Sequence, residues 1–102
     1  MRVISRKRLK LFARRHPDAG IALDAWYRTV KAARWASIAD VRRVYPHADA
    51  VTVGSGRTVT VFNVRGNDYR LVAALHYNTS TAYVLRVMTH AEYDKDAWKD
   101  QL

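Results

Sequence analysis

The sequence contains no cysteine. Disulfides and thiolate metal sites are therefore excluded, and a reducing, cytoplasmic location is expected. Long apolar runs are also missing. No segment approaches the roughly 18 apolar residues that cross a bilayer, and the basic start, Met1 to Arg8, leads into no apolar core of a secretory signal. A membrane partner is not expected. Proline and glycine are scarce, with two and four residues, and no repeat, low-complexity stretch or linker interrupts the chain. At 102 residues the chain has room for one domain, residues 1–102, and a modest core; a two-domain enzyme with its own nucleotide-binding fold is ruled out.

Acidic residues are in short supply. Nine Asp+Glu face 18 Lys+Arg, so the formal net charge is +9. Hydrophobic residues make up 49% of the chain, which argues against disorder; the net charge on so small a domain points to an anionic partner, nucleic acid, an anionic membrane or an acidic protein. The charge is uneven: residues 1–50 hold 12 basic and 4 acidic side chains (+8), and residues 51–102 hold 6 and 5 (+1). Arginine outnumbers lysine by 13 to 5, and its planar fork favours bidentate phosphate contact.

Local patterns predict an α+β order, α-α-(α)-β-β-β-β-α. Ser5 is a plausible N-cap, with Leu9, Phe12 and Ala13 at helical spacing and Pro17 ending the run. Arg6, Lys7, Arg8, Lys10, Arg14 and Arg15 surround that stripe. Asp18 can cap a second helix, whose apolar face is Ala22, Ala25, Trp26, Thr29, Val30 and Ala33. Ser37 and Asp40 have the spacing of a weak capping box for a short third helix before Pro46. Four strands follow: Ala50–Val53, Arg57–Val64, Asp68–Tyr77 and Ala82–Thr89, with turns at Gly54-Ser55-Gly56, Arg65-Gly66-Asn67 and residues 78–81. Ala91–Asp100 closes the chain as a short helix. Short turns imply an antiparallel meander covered by the N-terminal helices. In the last hairpin, a turn at Thr79-Ser80 places Arg70 opposite Thr89 and Tyr69 opposite His90. Arg70, Val72, Ala74 and His76 then share one face, with Tyr69, Leu71, Ala73, Leu75 and Tyr77 on the other.

The densest polar cluster is Thr89-His90-Ala91-Glu92-Tyr93-Asp94-Lys95, and the meander brings Arg70 near it. RNA cleavage by 2′-hydroxyl attack needs a base, a cation for the pentacoordinate phosphate and an acid for the leaving 5′-oxygen. His90 can serve as acid or base near neutrality, Arg70 suits the phosphate, Tyr93 can stack or transfer a proton, and Lys95 can add positive charge. Each has a plainer role as well: His90 as a structural hydrogen-bonder, Tyr93 as packing, Arg70 paired with Asp68 or Asp94, Glu92 and Asp94 favouring the helix dipole. No metal or cofactor is expected: the sequence has no H-E-x-x-H or H-x-x-x-H pair, and His90 with Asp94 lacks a third ligand. Gly54-Ser55-Gly56 lacks Walker spacing, and there is no nucleophile-elbow motif.

The block Val61-Phe62-Asn63-Val64-Arg65-Gly66-Asn67-Asp68-Tyr69-Arg70-Leu71 resembles the F-N-x-x-G-N-x-Y-R-L block of the HigB family of bacterial toxins. Tyr83 through Thr89-His90-Ala91-Glu92-Tyr93-Asp94 is similar to that family's closing block, Y-x-x-x-x-x-T-H-x-E-Y-D. The resemblance extends over essentially the whole chain. It implies a RelE-like fold, with N-terminal helices packed on a four-stranded, mainly antiparallel sheet and a short C-terminal helix. It also implies a type II toxin that cleaves mRNA, commonly on the translating ribosome, without a metal. Its partner would be a HigA-like helix-turn-helix antitoxin, through which alone it would meet operator DNA. Carried over residue by residue, it implies catalytic roles for Arg70, His90 and Tyr93. RNA contacts are expected from Arg6, Lys7, Lys10, Arg14, Asn67 and Lys95; for Asn67, stabilising the turn is at least as good a role. The rival reading is a non-catalytic RNA-binding or ribosome-associated basic protein, which would not need the Arg70/His90/Tyr93 cluster.

Overall fold

A computed structural model describes all residues, Met1–Leu102. The elements run β1 (Arg2–Ile4), α1 (Arg6–Arg15), a 3₁₀ turn (Pro17–Ala19), α2 (Gly20–Ala32), α3 (Ile38–Val44), β2 (Asp49–Thr52), β3 (Thr58–Val64), β4 (Tyr69–His76), β5 (Thr81–Thr89), α4 (His90–Asp94) and α5 (Ala97–Asp100). The expected α+β class and the antiparallel meander β2-β3-β4-β5 are both present.

The sheet has five strands, not four, in the order β1-β5-β4-β3-β2. The additional strand comes from Arg2-Val3-Ile4, which lies parallel to Thr81–Tyr83. Three residues carry no periodicity that could announce a strand; β1 exists because β5 offers it an edge. The α-ammonium of Met1 is held nearby, donating to the carbonyls of Val30, Lys31 and Ala33 at 2.7–3.1 Å. It thereby adds donors to carbonyls at and just beyond the C-terminal end of α2.

The two faces of β4 divide as the alternation predicts. Tyr69, Leu71 and Ala73 join the core under α1 and α2 with Leu9, Leu23, Trp26, Val30 and Phe62. Val72 joins the opposite cluster with Val53, Val59, Val61, Met88 and Trp98. The hairpin register, however, differs from expectation. Arg70 faces Met88, and Tyr69 faces Thr89 rather than His90. Two features cause the shift: residues 77–80 make a longer, 3₁₀-type connection, and an irregularity between Val72 and Ala73 leaves Leu85 unpaired.

Capping also differs. Ser5 and Ser37 occupy N-cap positions but make no side-chain cap bond. Asp40 reaches the Ala36 amide at 2.9 Å instead. Asp18 caps nothing: it lies in the 3₁₀ turn, and its carboxylate faces Tyr69 and Arg65. The closing segment is two short helices because Asp96, with φ of 59°, breaks the run. No helix is long and apolar enough to cross a membrane.

Candidate active site

The site lies where the β3–β4 loop meets the end of β5. Gly66 (φ 62°) and Arg65 (φ 52°) are both left-handed, which lets residues 65–68 reverse the chain in four residues. Arg65 is tied down by bonds to Asp18 (2.9 Å) and Asp68 (2.8 Å). Across the loop, α4 begins with a full capping box: the Thr89 hydroxyl accepts from the Glu92 amide, and Glu92 accepts from the Thr89 amide, both at 3.2 Å. The His90 amide donates to the Asp68 carbonyl at 3.0 Å and so locks the start of α4 to the loop.

Within this frame the guanidinium of Arg70 is enclosed, with only 8% of the residue exposed. Its Nη1 donates to the carbonyls of Asn67 (3.1 Å) and Tyr69 (3.0 Å). Its Nη2 donates to Asn67 Oδ1 at 2.7 Å and lies 3.0 Å from His90 Nδ1. Arginine cannot accept a hydrogen bond, so His90 Nδ1 is the acceptor. The ring proton therefore sits on Nε2, which is 3.0 Å from Asp94 Oδ2. Asn67, Arg70, His90 and Asp94 thus form a continuous hydrogen-bonded relay.

Tyr93 flanks this relay. Its ring lies 5.5 Å from the Arg70 guanidinium and stacks on Trp98 at 5.3 Å, while the Trp98 indole N–H donates to the Tyr93 carbonyl. Burial pushes the Tyr93 phenol above its ordinary value, and Lys99 and Arg70 offset part of that shift. The group therefore remains a phenol, a donor, throughout the neutral range.

Arg70, His90, Tyr93 and Asn67 are brought together. The expected free phosphate fork of Arg70 is not open: four of its five N–H groups are engaged, and neither Asp68 nor Asp94 is its partner. Asn67 likewise spends its side-chain oxygen on Arg70 and acts on the site from within the turn. Lys95 follows Asp94 at the end of α4 and is exposed. The α1 cations are not part of the cluster, because α1 packs through Leu9, Phe12 and Ala13 on the other face of the sheet. Arg6 lies over the Tyr27 ring at 4.3 Å and 4.0 Å from Asp24. Lys10 lines the same α1–α2 hollow, and Lys7 and Arg14 are exposed.

Three contributors have no catalytic part in the sequence reading. Asp94 is weighed there as a metal pair with His90, as a partner of Arg70 and as a helix-dipole residue, but not as the residue that orients His90. Asp68 acts through its carbonyl, which no side-chain pattern reports. Trp98 is five residues beyond Tyr93, a spacing that stacks only because the helix breaks at Asp96. No three His, Asp or Glu side chains converge as a metal site would require.

The family model for the HigB toxin, the RelE-like toxic component of a toxin–antitoxin system, matches residues 19–96. The mRNA interferase toxin HigB of Escherichia coli K12 is 32% identical over 94 residues, covering 92% of this chain and 88% of that protein. The mRNA interferase HigB of E. coli O6:H1 is 28% identical over 95 residues, covering 93% and 90%. The mRNA interferase HigB of Shigella flexneri is 32% identical over 94 residues. The chain belongs to the HigB toxin family, and as the toxic component of such a system its partner is an antitoxin.

Proposed function

We propose that this toxin is an mRNA-cleaving endoribonuclease that works by 2′-hydroxyl attack on the adjacent phosphate. The observation that carries the reading is the Asn67–Arg70–His90–Asp94 relay beside a protonated Tyr93. The names of its relatives, mRNA interferases, support the same reaction class.

In the resting relay both His90 nitrogens are occupied, so His90 cannot yet act as a base. A phosphodiester entering beside Arg70 competes for the Nη2 hydrogen now given to His90. Once Arg70 turns that N–H to a phosphate oxygen, His90 Nδ1 becomes a free acceptor. It takes the 2′-hydroxyl proton while O2′ attacks phosphorus, and Asp94 stabilises the imidazolium through Nε2–H, as the carboxylate of a triad does. Arg70 stabilises the charge gathering on the phosphorane. The P–O5′ bond breaks, and Tyr93 donates a proton to the leaving O5′. The products are a 2′,3′-cyclic phosphate and a 5′-hydroxyl end. Asn67 keeps Arg70 in place, and Lys95 adds positive charge at the rim. Arg6, Lys7, Lys10 and Arg14 hold more distant phosphates, those of mRNA or of the ribosome on which it is translated. The reaction is placed in the cytoplasm, the antitoxin is HigA-like with a helix-turn-helix domain, and operator DNA is met through it.

The test is induced expression with transcript-end mapping, comparing wild type with His90→Ala and Arg70→Ala. The reading expects new 2′,3′-cyclic phosphate and 5′-hydroxyl ends from wild type and none from folded variants. New 3′-hydroxyl ends would sink the mechanism. Growth arrest without new ends would favour the non-catalytic RNA-binding alternative.

A further inference from the structure

The cations of α1 occupy two flanks. Arg6 and Lys10 turn toward α2, where Asp24 and Tyr27 receive Arg6. Arg8 and Arg15 turn the other way, toward β5. Strand β1 covers only Thr81–Tyr83 of β5, so the rest of that strand's outer edge has no strand partner. Between α1 and this open edge runs a groove of about 250 Å³ whose walls include Arg8, Leu11, Phe12, Arg15, Arg86 and Val87.

Two properties of this groove specify an occupant. First, it is basic and unneutralised. None of Arg8, Arg15 and Arg86 takes part in the ion pairs of the protein, and no acidic residue lines the groove. Arg86 gives one N–H to the Leu85 carbonyl, leaving its other donors for a ligand. Second, it has an apolar floor. Leu11 is 46% exposed here, among the few large hydrophobic side chains left open to solvent. A single-stranded RNA would seek aromatic faces as well as cations. The only aromatic ring in the groove, Phe12, already stacks on His16 at 4.4 Å and meets the edge of Tyr69 at 5.4 Å. Arginines above aliphatic side chains suit instead a peptide that carries both carboxylates and apolar groups, the arrangement of an interface with an apolar centre and a charged rim.

We propose that the α1–β5 groove is the docking site for an acidic segment of the antitoxin, with apolar side chains seated on Leu11 and Phe12 and carboxylates on Arg8, Arg15 and Arg86. The proposal rests on the toxin–antitoxin reading but not on the ribonuclease mechanism. The groove is lined by none of the relay residues and by none of the residues assigned to RNA.

The experiment uses the full chain and, as probe, the purified product of the adjacent open reading frame. Binding is measured by calorimetry and RNA cleavage by end mapping on the same preparations. The Arg8→Glu/Arg15→Glu double variant is expected to weaken antitoxin binding at least 100-fold, and Leu11→Glu at least 10-fold. Cleavage and melting temperature stay at wild-type values. Ile21→Glu, on the exposed side of α2, controls for surface charge and is expected to bind as wild type does. Affinity of the double variant within threefold of wild type would overturn the proposal. So would a tenfold loss of cleavage with antitoxin affinity intact, which would make the groove an RNA surface. If wild type cleaves no RNA while the double variant still loses the antitoxin, the docking proposal stands and the ribonuclease reading fails.

Discussion

On the face of the sheet that carries α1 and α2, 16 buried residues form one cluster, with Trp26, Phe62, Leu23 and Leu71 at its centre. On the other face only six do, roofed by α4 and α5, helices of five and four residues. Beyond that roof the second face opens into a hollow of about 680 Å³ between Val59, Ala74, Tyr83 and Leu102. The thick face supplies the apolar burial that a domain of this size needs. The thin face holds the relay, the site proposed for the substrate. Apolar packing sits behind the strands, and the relay's polar groups sit at their ends and on short, capped elements.

The first way to break this comparison is to delete packing on each face. Phe62→Ala, beneath both Trp26 and Tyr45, is expected to cost about 3–5 kcal/mol, read as the urea midpoint. Trp98→Ala is expected near the lower end, about 3 kcal/mol, because the short α5 can settle into the space. It should nonetheless depress RNA cleavage more than Phe62→Ala does per unit of stability lost, since Tyr93 stacks on Trp98. Equal effects on cleavage would mean the two faces do not divide the labour.

Next come the relay residues themselves. Arg70→Ala and His90→Ala should each lower the cleavage rate at least ~100-fold, the scale of losing a transition-state donor or a general base. Arg70→Lys should not restore it, because one ammonium cannot serve Asn67, Tyr69 and His90 together. Asp94→Asn should cost on the order of 10-fold, less than a buried triad carboxylate, because the Asp94 side chain is 59% exposed. A variant with full activity would show that His90 needs no orienting partner.

The Asp18–Tyr69 bond ties the 3₁₀ turn to the first residue of β4 at 2.6 Å. The bond from Tyr69 lowers the Asp18 pKa, and the same bond raises that of Tyr69. The carboxylate's contribution is therefore present above its unfolded value of about 3.9 and lost as pH falls through the lower folded value. The phenol's contribution is present below about 10 and lost as pH rises through the higher folded value. Melting temperature should be flat between those limits and fall on both sides. Tyr69→Phe should lower the plateau and soften both flanks; an unchanged profile would refute the linkage. The smallest effects belong to single α1 cations: Lys7→Ala or Arg14→Ala should leave the cleavage mechanism alone and reduce the log–log salt slope of RNA binding by about 0.7 each.

Much of this architecture was legible beforehand, and the exceptions have physical causes. Alternation along Tyr69–Tyr77 identified the two faces because burial imposes a period of two on any strand between two cores. It could not assign the register, which depended on the 77–80 connection and the unpaired Leu85. The strand Arg2–Ile4 was not legible in the basic start of the chain, since its order comes from a partner some 80 residues away. Arg70, His90 and Tyr93 could be grouped because a meander returns β5 beside the start of β4. Their mutual chemistry could not, because it turns on backbone carbonyls at Asn67, Asp68 and Tyr69 that have no sequence signature.

By itself, the sequence determined which groups exist and their local rhythm: no thiols, a charge of +9 concentrated in residues 1–50, the strand and helix periods, and the two blocks shared with the HigB family. Only the tertiary structure decided which of those groups are already paired. It enclosed Arg70 with four of its N–H groups satisfied, put the His90 proton on Nε2, and split the α1 cations between a neutralised flank and an open one. The reason is that pairing and desolvation depend on distances between residues far apart in the chain, and those distances exist only once the sheet has closed around its two cores.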